Sequence, residues 1–331
     1  MKTRVCIPIK FQPQGGGFYF LDAFVSYLHG IGWEVSRDID SAYEVLFTNH
    51  WMTPYADILR GVRRNPRALI VQRIDGAAQN YGRDAEADER QAQVNKIADL
   101  TIFQSNYARY STREKYPVIK RDGPIIFNPV DLDVFNPNGE RKKYPRKAQV
   151  ACVTWSTNAF KGLAQIYAVA KQHPDIDFVL CGSFEDAPDL ANIYKLGLLT
   201  RKDLAIALRS CQVLLTFSKN EACPNHVLEA LACGLPVLYE DSGAMREVIG
   251  DCGLPTTVEL FEEQLGSVLS RLGDLSKAAR QRAQDLFDPR RNFKQYVEAI
   301  QGQLERRAAV PLALRSAVAW TYPILQRAGL R

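Results

Sequence analysis

The sequence predicts an α/β chain of two doubly wound, Rossmann-like domains, and three observations lead there. Its 331 residues exceed what one hydrophobic core usually covers, which sets an expectation of two domains of about 150 residues each. Short β-rich runs alternate with helix-length amphipathic segments along most of the chain, the pattern of parallel sheets covered by helices on both faces. A composition of 46% hydrophobic and 24% charged residues is that of a globular protein, and it excludes a disordered, collagen-like or coiled-coil chain.

In the first half the strand candidates are residues 4–9, 45–49, 68–72, 100–104 and 125–127, with helical stretches such as 20–30 and 85–98 between them. In the second half 150–154, 178–181, 213–217 and 236–240 repeat the theme. The polar, Pro-containing stretch 136–147 holds five basic residues and has little to bury, so it reads as a linker. The expected organisation is a domain over 1–140, a linker over 141–147, a second domain over 148–305 and a helical tail over 306–331. The tail is amphipathic and basic (Arg315, Trp320, Tyr322, Arg327 and Arg331). It fits either packing on the body or peripheral contact with the inner face of a membrane.

A net charge of +5 suits an anionic ligand or membrane surface as well as nucleic acid. No basic run with interleaved aromatics and no helix-turn-helix, zinc-finger or RNA-sheet signature occurs, so no nucleic-acid partner is expected. The seven cysteines are scattered without a Cys-x-x-Cys pair, which argues against a disulfide framework or zinc site and for a reducing compartment. The four histidines (His29, His50, His173, His226) are dispersed, and no metal is expected. The first residues lack a signal-peptide pattern and no run reaches about eighteen apolar residues, so the expected location is the cytoplasm.

The most informative segment is 218–237, Ser-Lys-Asn-Glu-Ala-Cys-Pro-Asn-His-Val-Leu-Glu-Ala-Leu-Ala-Cys-Gly-Leu-Pro-Val. Pro224 suits the first turn of a helix, and Gly234 followed by Pro236 forms its stop. The unit is therefore strand, loop, helix, strand. In such a unit the loop at the strand's carboxyl end lies at the ligand crevice, and the helix amino terminus entered through Cys223 and Pro224 offers backbone N–H groups, from Asn225 onward, to a diphosphate. Glu221 in the loop and Glu229 on the second helical turn can address different parts of one extended ligand.

These residues resemble the retaining glycosyltransferases of family 4, glycosyl transferases group 1. Their Glu-x7-Glu motif is matched by Glu221 and Glu229, and the run from Ala230 to Val237 is also similar. The resemblance implies a GT-B fold, two Rossmann-like domains facing each other across a cleft. It also implies transfer of a sugar from a nucleoside-diphosphate donor to a hydroxyl with retention at the anomeric carbon, in cell-surface or lipid-linked glycan synthesis. The nucleotide sugar is a co-substrate and no cofactor is needed. The expected partners are that donor and a glycan or lipid-linked acceptor.

Lys161-Gly162 looks like the family's phosphate-binding Lys-Gly, where the lysine neutralises the leaving diphosphate. The family usually has an arginine a few residues earlier. Here the chain reads Thr154-Trp155-Ser156-Thr157-Asn158, leaving Arg73, Arg246, Ser156 and Asn158 as candidate replacements. Gly182 resembles the loop beside the donor base, though a tight turn explains it equally well. Gly243 follows another strand and can approach the ligand by its backbone. In the first domain Gln14-Gly15-Gly16-Gly17 permits close phosphate approach, and the resemblance makes Gly16 and Gly17 part of the loop covering the donor diphosphate. Arg73-Ile74-Asp75-Gly76 looks like a segment near the reacting centre, with helix capping as the plain alternative for Asp75. His50, at a strand end, reads as a structural histidine.

The resulting assignment makes Glu221, Lys161 and Asp75 catalytic. Glu229, Gly16, Gly17, Asn225, Cys223, Pro224, Gly182, Gly243 and Arg73 bind substrate, Glu221 orienting the sugar and Glu229 the ribose. The alternatives are a non-catalytic nucleotide-sugar-binding protein and a sugar-nucleotide epimerase or phosphorylase on the same fold. A dinucleotide dehydrogenase would need a full GxGxxG with an acidic residue about twenty positions later, a pairing this chain lacks.

Overall fold

The structure is a computed structural model that describes residues 3–9, 16–116 and 123–306. Expectations for the tail, and for Gln14 and Gly15, fall outside these residues. The chain divides into two compact units, one comprising residues up to Ile126 together with those from Phe293 onward, the other Phe127–Asn292.

The first unit contains β1 (Arg4–Cys6), α1 (Gly16–Gly30), β2 (Glu34–Ser36), β3 (Val45–Asn49), α2 (Tyr55–Arg64), β4 (Leu69–Ile74), α3 (Ala85–Ile97), β5 (Leu100–Phe103) and α4 (Asn106–Lys115). The strands form one sheet in the order β2-β1-β3-β4-β5, every pair parallel. Both β3 and β4 are buried throughout, as parallel strands covered on both faces must be. Alternate residues then feed two separate cores. Val5, Phe47, Val71 and Ile102 pack with Phe20, Leu21, Phe24 and Leu28 of α1. Cys6, Leu46 and Ile70 pack with Ile58, Leu59 and Val62 of α2 and with Val94 and Ile97 of α3.

The second unit contains β6 (Ala148–Thr154), α5 (Leu163–Gln172), β7 (Ile176–Gly182), β8 (Ile193–Gly197), α6 (Arg201–Arg209), β9 (Val213–Thr216), α7 (Asn225–Ala232), β10 (Val237–Tyr239), α8 (Met245–Ile249), β11 (Gly253–Pro255), α9 (Phe261–Ser270) and α10 (Leu272–Leu286). Its sheet runs β11-β10-β9-β6-β7-β8, again all parallel. Val150, Phe178, Val213 and Leu238 meet Ile166 and Val169 of α5 and Phe261 and Val268 of α9 in its core. The last helix, α11 (Pro289–Arg306), places Phe293, Tyr296, Val297 and Ile300 in the core of the first unit.

Two boundaries differ from the sequence expectation. The units part at Ile126 and Phe127, well before the expected linker at 141–147. The polar stretch after Phe127 is satisfied within the second unit: Arg209 donates to the carbonyls of Val134, Asn136 and Glu140, and Arg280 donates to those of Leu132 and Phe135. An extended polar segment needs only such donors, with no apolar core of its own, to become part of a domain. The second difference is that residues from Phe293 belong with the first unit, because the apolar face of α11 completes the aromatic cluster around Phe20 and Phe24. No helix of the described residues is long and apolar enough to cross a membrane.

Candidate functional site

In the second unit the carboxyl ends of β6, β9 and β10 hold the residues on which the sequence expectation rests, at the edge of a parallel sheet where ligands bind. After β6 the chain makes a turn in which Ser156 Oγ accepts from the Asn158 amide at 3.2 Å and Asn158 Oδ1 caps a short 3-10 turn by accepting from the Phe160 amide at 2.9 Å. Gly162 ends that turn with φ +67°, and a Cβ there would lie 2.3 Å from the Phe217 Cβ. Only glycine lets the turn lie against the segment leaving β9.

The turn delivers Lys161 onto the Glu221 carboxylate, to which its Nζ donates. Both side chains remain partly open, at 26% and 20% exposure. The Glu221 backbone is gripped by the loop after β10. Its carbonyl accepts from the Ala244 amide at 2.8 Å, the Asn220 amide donates to Ser242 Oγ at 3.0 Å, and a Cβ on Gly243 would stand 2.6 Å from the Glu221 N and O atoms. Gly243 was expected to approach a ligand; what its backbone closely approaches is Glu221. Gly182, at φ +105°, has the same character. A Cβ there would sit 1.7 Å from the Thr154 carbonyl oxygen, at the end of the β6–β7 ladder.

Helix α7 starts after Pro224 with no side-chain cap. Its entry is held by Asn128, which sequence reasoning missed because it lies in what looked like the end of the first domain. Asn128 Nδ2 donates to the Cys223 carbonyl at 3.2 Å and to Asn225 Oδ1 at 2.9 Å, and the Asn128 amide meets the Cys223 thiol at 3.4 Å. His226, also unassigned from the sequence, is buried against Thr216 Oγ1 at 3.2 Å, and burial pushes its pKa down to about 4. It is therefore a neutral prop under the loop that carries Glu221.

Glu229 Oε2 is buried without a hydrogen-bond partner. Burial pushes the carboxyl up to about 7, opposed by the positive charge of Arg201. A carboxyl whose pKa is raised on folding favours the native state at low pH, and that preference is lost as pH rises from the ordinary carboxyl range through 7. Glu229→Gln should therefore leave the unfolding midpoint nearly unchanged at pH 4, below the ordinary carboxyl value. At pH 8 it should raise the midpoint by about 2–4 °C, for about 1 kcal/mol after discounting for partial exposure. Thermal melts of both proteins at the two pH values check this, and a constant offset across pH would show that burial of charge is not the cause.

In the first unit the carboxyl ends of β3 and β4 form a second polar cluster. Arg73 is 1% exposed. Its guanidinium donates to Asn49 Oδ1 at 2.5 Å, to His50 Nε2 at 2.9 Å and to the Tyr296 hydroxyl at 3.1 Å, and it lies 3.7 Å above the Phe20 ring. Because Nε2 accepts from Arg73, the proton of the neutral His50 ring sits on Nδ1, which faces Asp75 Oδ1 at 2.5 Å. Burial lowers the His50 pKa against the attraction of Asp75, and Arg73 and Arg83 lower it further. Gly16 and Gly17 form the first turn of α1, and a Cβ on Gly17 would lie 3.4 Å from Asn49 Nδ2 and 3.6 Å from His50 Nε2.

This bears on the missing arginine. Arg73 was named both as a substrate-binding residue and as a replacement phosphate ligand, yet its guanidinium is turned into the core of the first unit. Arg246 is forked onto Asp241 by two 2.6 Å bonds. Ser156 and Asn158 spend their side-chain oxygens on the turn before Lys161. Lys161 is thus the cation among these residues that the structure brings to the Glu221 loop.

Residues 151–272, within the second unit, match the family model described as Glycosyl transferases group 1. Over 140 residues the chain is 28% identical to the N,N'-diacetylbacillosaminyl-diphospho-undecaprenol alpha-1,3-N-acetylgalactosaminyltransferase of Campylobacter jejuni, a match covering 40% of this chain and 36% of that enzyme. It thus spans about a third of its curated relative. Among solved structures it is similar to sucrose-phosphate synthase from Thermosynechococcus elongatus, with a TM-score of 0.72 at 16% identity over 92% of this chain and 99% of that one. It is also similar to Anabaena HepE in complex with UDP-glucose, with a TM-score of 0.72 at 13% identity over 91% and 100% of the two chains. A glycosyltransferase from Rickettsia africae gives 0.70 at 15% identity over 92% and 99%. With its two parallel sheets and flanking helices, the chain has an α/β, two-domain GT-B fold.

Proposed function

We propose that this chain is a glycosyltransferase that transfers a sugar, with retention, from a nucleoside-diphosphate donor held by the second unit to a hydroxyl of a glycan or lipid-linked acceptor. The observation that carries the reading is the Lys161–Glu221 pair beside the uncapped start of α7, within the segment that matches the group 1 glycosyl transferase model. The fold neighbour HepE, described in complex with UDP-glucose, supports the donor class. The Campylobacter relative, whose name specifies an undecaprenol-linked acceptor, supports the acceptor class.

In this reading the bond between the anomeric carbon and the diphosphate breaks with its electron pair going to the diphosphate. Lys161 and the first N–H groups of α7 take up that charge. The acceptor hydroxyl attacks the same face and passes its proton to the departing phosphate oxygen. Glu221 orients the sugar, and the Glu229 carboxylate, whose Oε2 has no hydrogen-bond partner, accepts from the ribose hydroxyls. Asp75, fixed by His50, serves the acceptor hydroxyl.

The test is a thermal-shift screen of UDP, GDP and ADP and their sugars against wild type and Glu229→Ala. A ligand that binds only the native state raises the midpoint, so one nucleotide should stabilise wild type, and Glu229→Ala should lose that shift. The anomeric proton coupling of the first transfer product then reports stereochemistry. No shift with any nucleotide defeats the donor assignment, and an inverted product defeats retention.

A further inference from the structure

The loop that follows β4 carries two groups that the transfer chemistry leaves half-used. It begins at Asp75 and ends at Arg83, eight positions on, and it is built as a rigid piece. The buried carboxylate of Asp88 accepts from the amides of Ala78 and Gln79 at 2.6 and 2.9 Å. Gln91 Nε2 donates to the Gly76 carbonyl at 3.2 Å, and the Arg83 amide closes the turn onto the Ala78 carbonyl at 3.1 Å. Gly76 and Gly82, at φ +99° and +79°, supply the two reversals.

Arg83 is exposed and makes no ion pair among the described residues. Its guanidinium carbon lies 4.7 Å from the centroid of the Trp51 ring and 5.6 Å from that of Tyr81. Trp51 is itself fixed, since its carbonyl accepts from Arg90 at 2.9 Å and its ring packs 5.5 Å from that of His50. A guanidinium stacked on aromatic faces keeps its N–H edge free, and that edge matches a phosphate by paired hydrogen bonds. The same loop begins at Asp75, whose Oδ1 lies 2.5 Å from His50 Nδ1 and whose carboxylate can accept a hydroxyl hydrogen bond. One stiff loop therefore carries both the aromatic-backed cation and the carboxylate.

We propose that the Asp75–Arg83 loop recognises a phosphorylated acceptor, with the reacting sugar hydroxyl at Asp75 and the phosphate on the Arg83 fork over Trp51. The inference rests on the glycosyltransferase reading for the word acceptor, but the phosphate site itself does not depend on it. The same chemistry would take the phosphate of a soluble sugar phosphate or the diphosphate of a lipid carrier.

Calorimetric titrations on the full chain test it, with the stabilising nucleoside diphosphate present at saturation so that Lys161 is occupied. Pyrophosphate serves as the free anion and undecaprenyl diphosphate in detergent micelles as the lipid-borne one. Wild type should bind at least one of them, and Arg83→Gln should weaken that binding by about tenfold or more, the loss of one charge-assisted phosphate contact. Arg83→Lys should recover part of it, and nucleotide affinity should stay at the wild-type value in both. Tighter binding of the micellar probe names the lipid source, and equal binding names the free phosphate. The proposal is overturned if neither probe binds with nucleotide present, if Arg83→Gln binds like wild type, or if the anion site is lost only in Lys161→Ala. If no nucleotide binds but an Arg83-dependent anion site persists, the donor reading alone fails.

Discussion

Replacing Lys161 by alanine is expected to lower kcat for sugar transfer by about two to three orders of magnitude, the usual cost of removing one preorganised charge from a developing anion. The unfolding midpoint should move little, because the Lys161 and Glu221 side chains are 26% and 20% exposed and such pairs contribute little to stability. The structure leaves a competing explanation to be separated. Nζ rests on the Glu221 carboxylate, so the lysine could matter only by orienting that glutamate. The two roles diverge in ligand binding. If Lys161 acts on the diphosphate, Lys161→Ala weakens the bare nucleoside diphosphate, whereas Glu221→Gln weakens only the sugar-bearing donor. If Lys161 merely positions Glu221, both variants bind the bare nucleotide like wild type, and the double variant is no slower than either single one. Calorimetry with the nucleotide and its sugar, together with kcat for the three variants, decides between them. Wild-type turnover in Lys161→Ala would remove the lysine from the chemistry.

What the sequence disclosed follows the physics of burial. The strands at the centre of each sheet, such as β3, β4, β6 and β7, are buried throughout, so they read as continuous apolar runs. The strands it did not disclose, β2, β8 and β11, all lie at sheet edges. There one side needs no apolar cover, and a short half-exposed segment such as Ile193–Gly197 has no pattern to detect. Residues 125–127 look like a strand but contribute only a single bridge, Phe103 to Ile125. The domain boundary was hidden for a related reason. A polar stretch signals little to bury, and nothing local says that Arg209 and Arg280, far along the chain, will take up its carbonyls.

The candidate site was legible where its contacts are local. The spacing of Glu221 and Glu229 and the glycines flanking the loops are local features, and the structure joins Lys161 to Glu221 across 60 positions. It was not legible where partners come from elsewhere. Asn128 reaches Asn225 across 97 positions, and Arg73 reaches Tyr296 across 223. His50 looked like a lone histidine until β3 and β4 paired in the register that puts Asn49 beside Arg73. The same pairing explains why Arg73 could not be recognised as interior. A buried arginine is rare, and the hydroxyl of Tyr296, the side-chain oxygen of Asn49, the His50 ring nitrogen and the ring of Phe20 make its burial tolerable.

Gly182→Ala is expected to destabilise the second unit by about 3 kcal/mol or more, a fall of about 6–12 °C in its unfolding midpoint. Two costs add at this position. The backbone stands at φ +105°, outside the regions open to a side chain with a Cβ. The added methyl would also begin 1.7 Å from the Thr154 carbonyl oxygen, an atom of the neighbouring strand that has no rotamer through which to move away. Relief requires that the carboxyl ends of β6 and β7 separate, which breaks the 2.9 Å bond from the Ser183 amide to the Thr154 carbonyl. Thr154 leads directly into the turn that ends at Lys161, so the variant should lose donor binding at temperatures where it is still folded. Urea unfolding gives the stability change, and titration with the nucleoside diphosphate well below the midpoint gives the binding change. If Gly182 served a ligand by its backbone alone, alanine would weaken binding without moving the unfolding transition. A large shift in the transition together with weakened binding assigns Gly182 to the strand ends that carry the site.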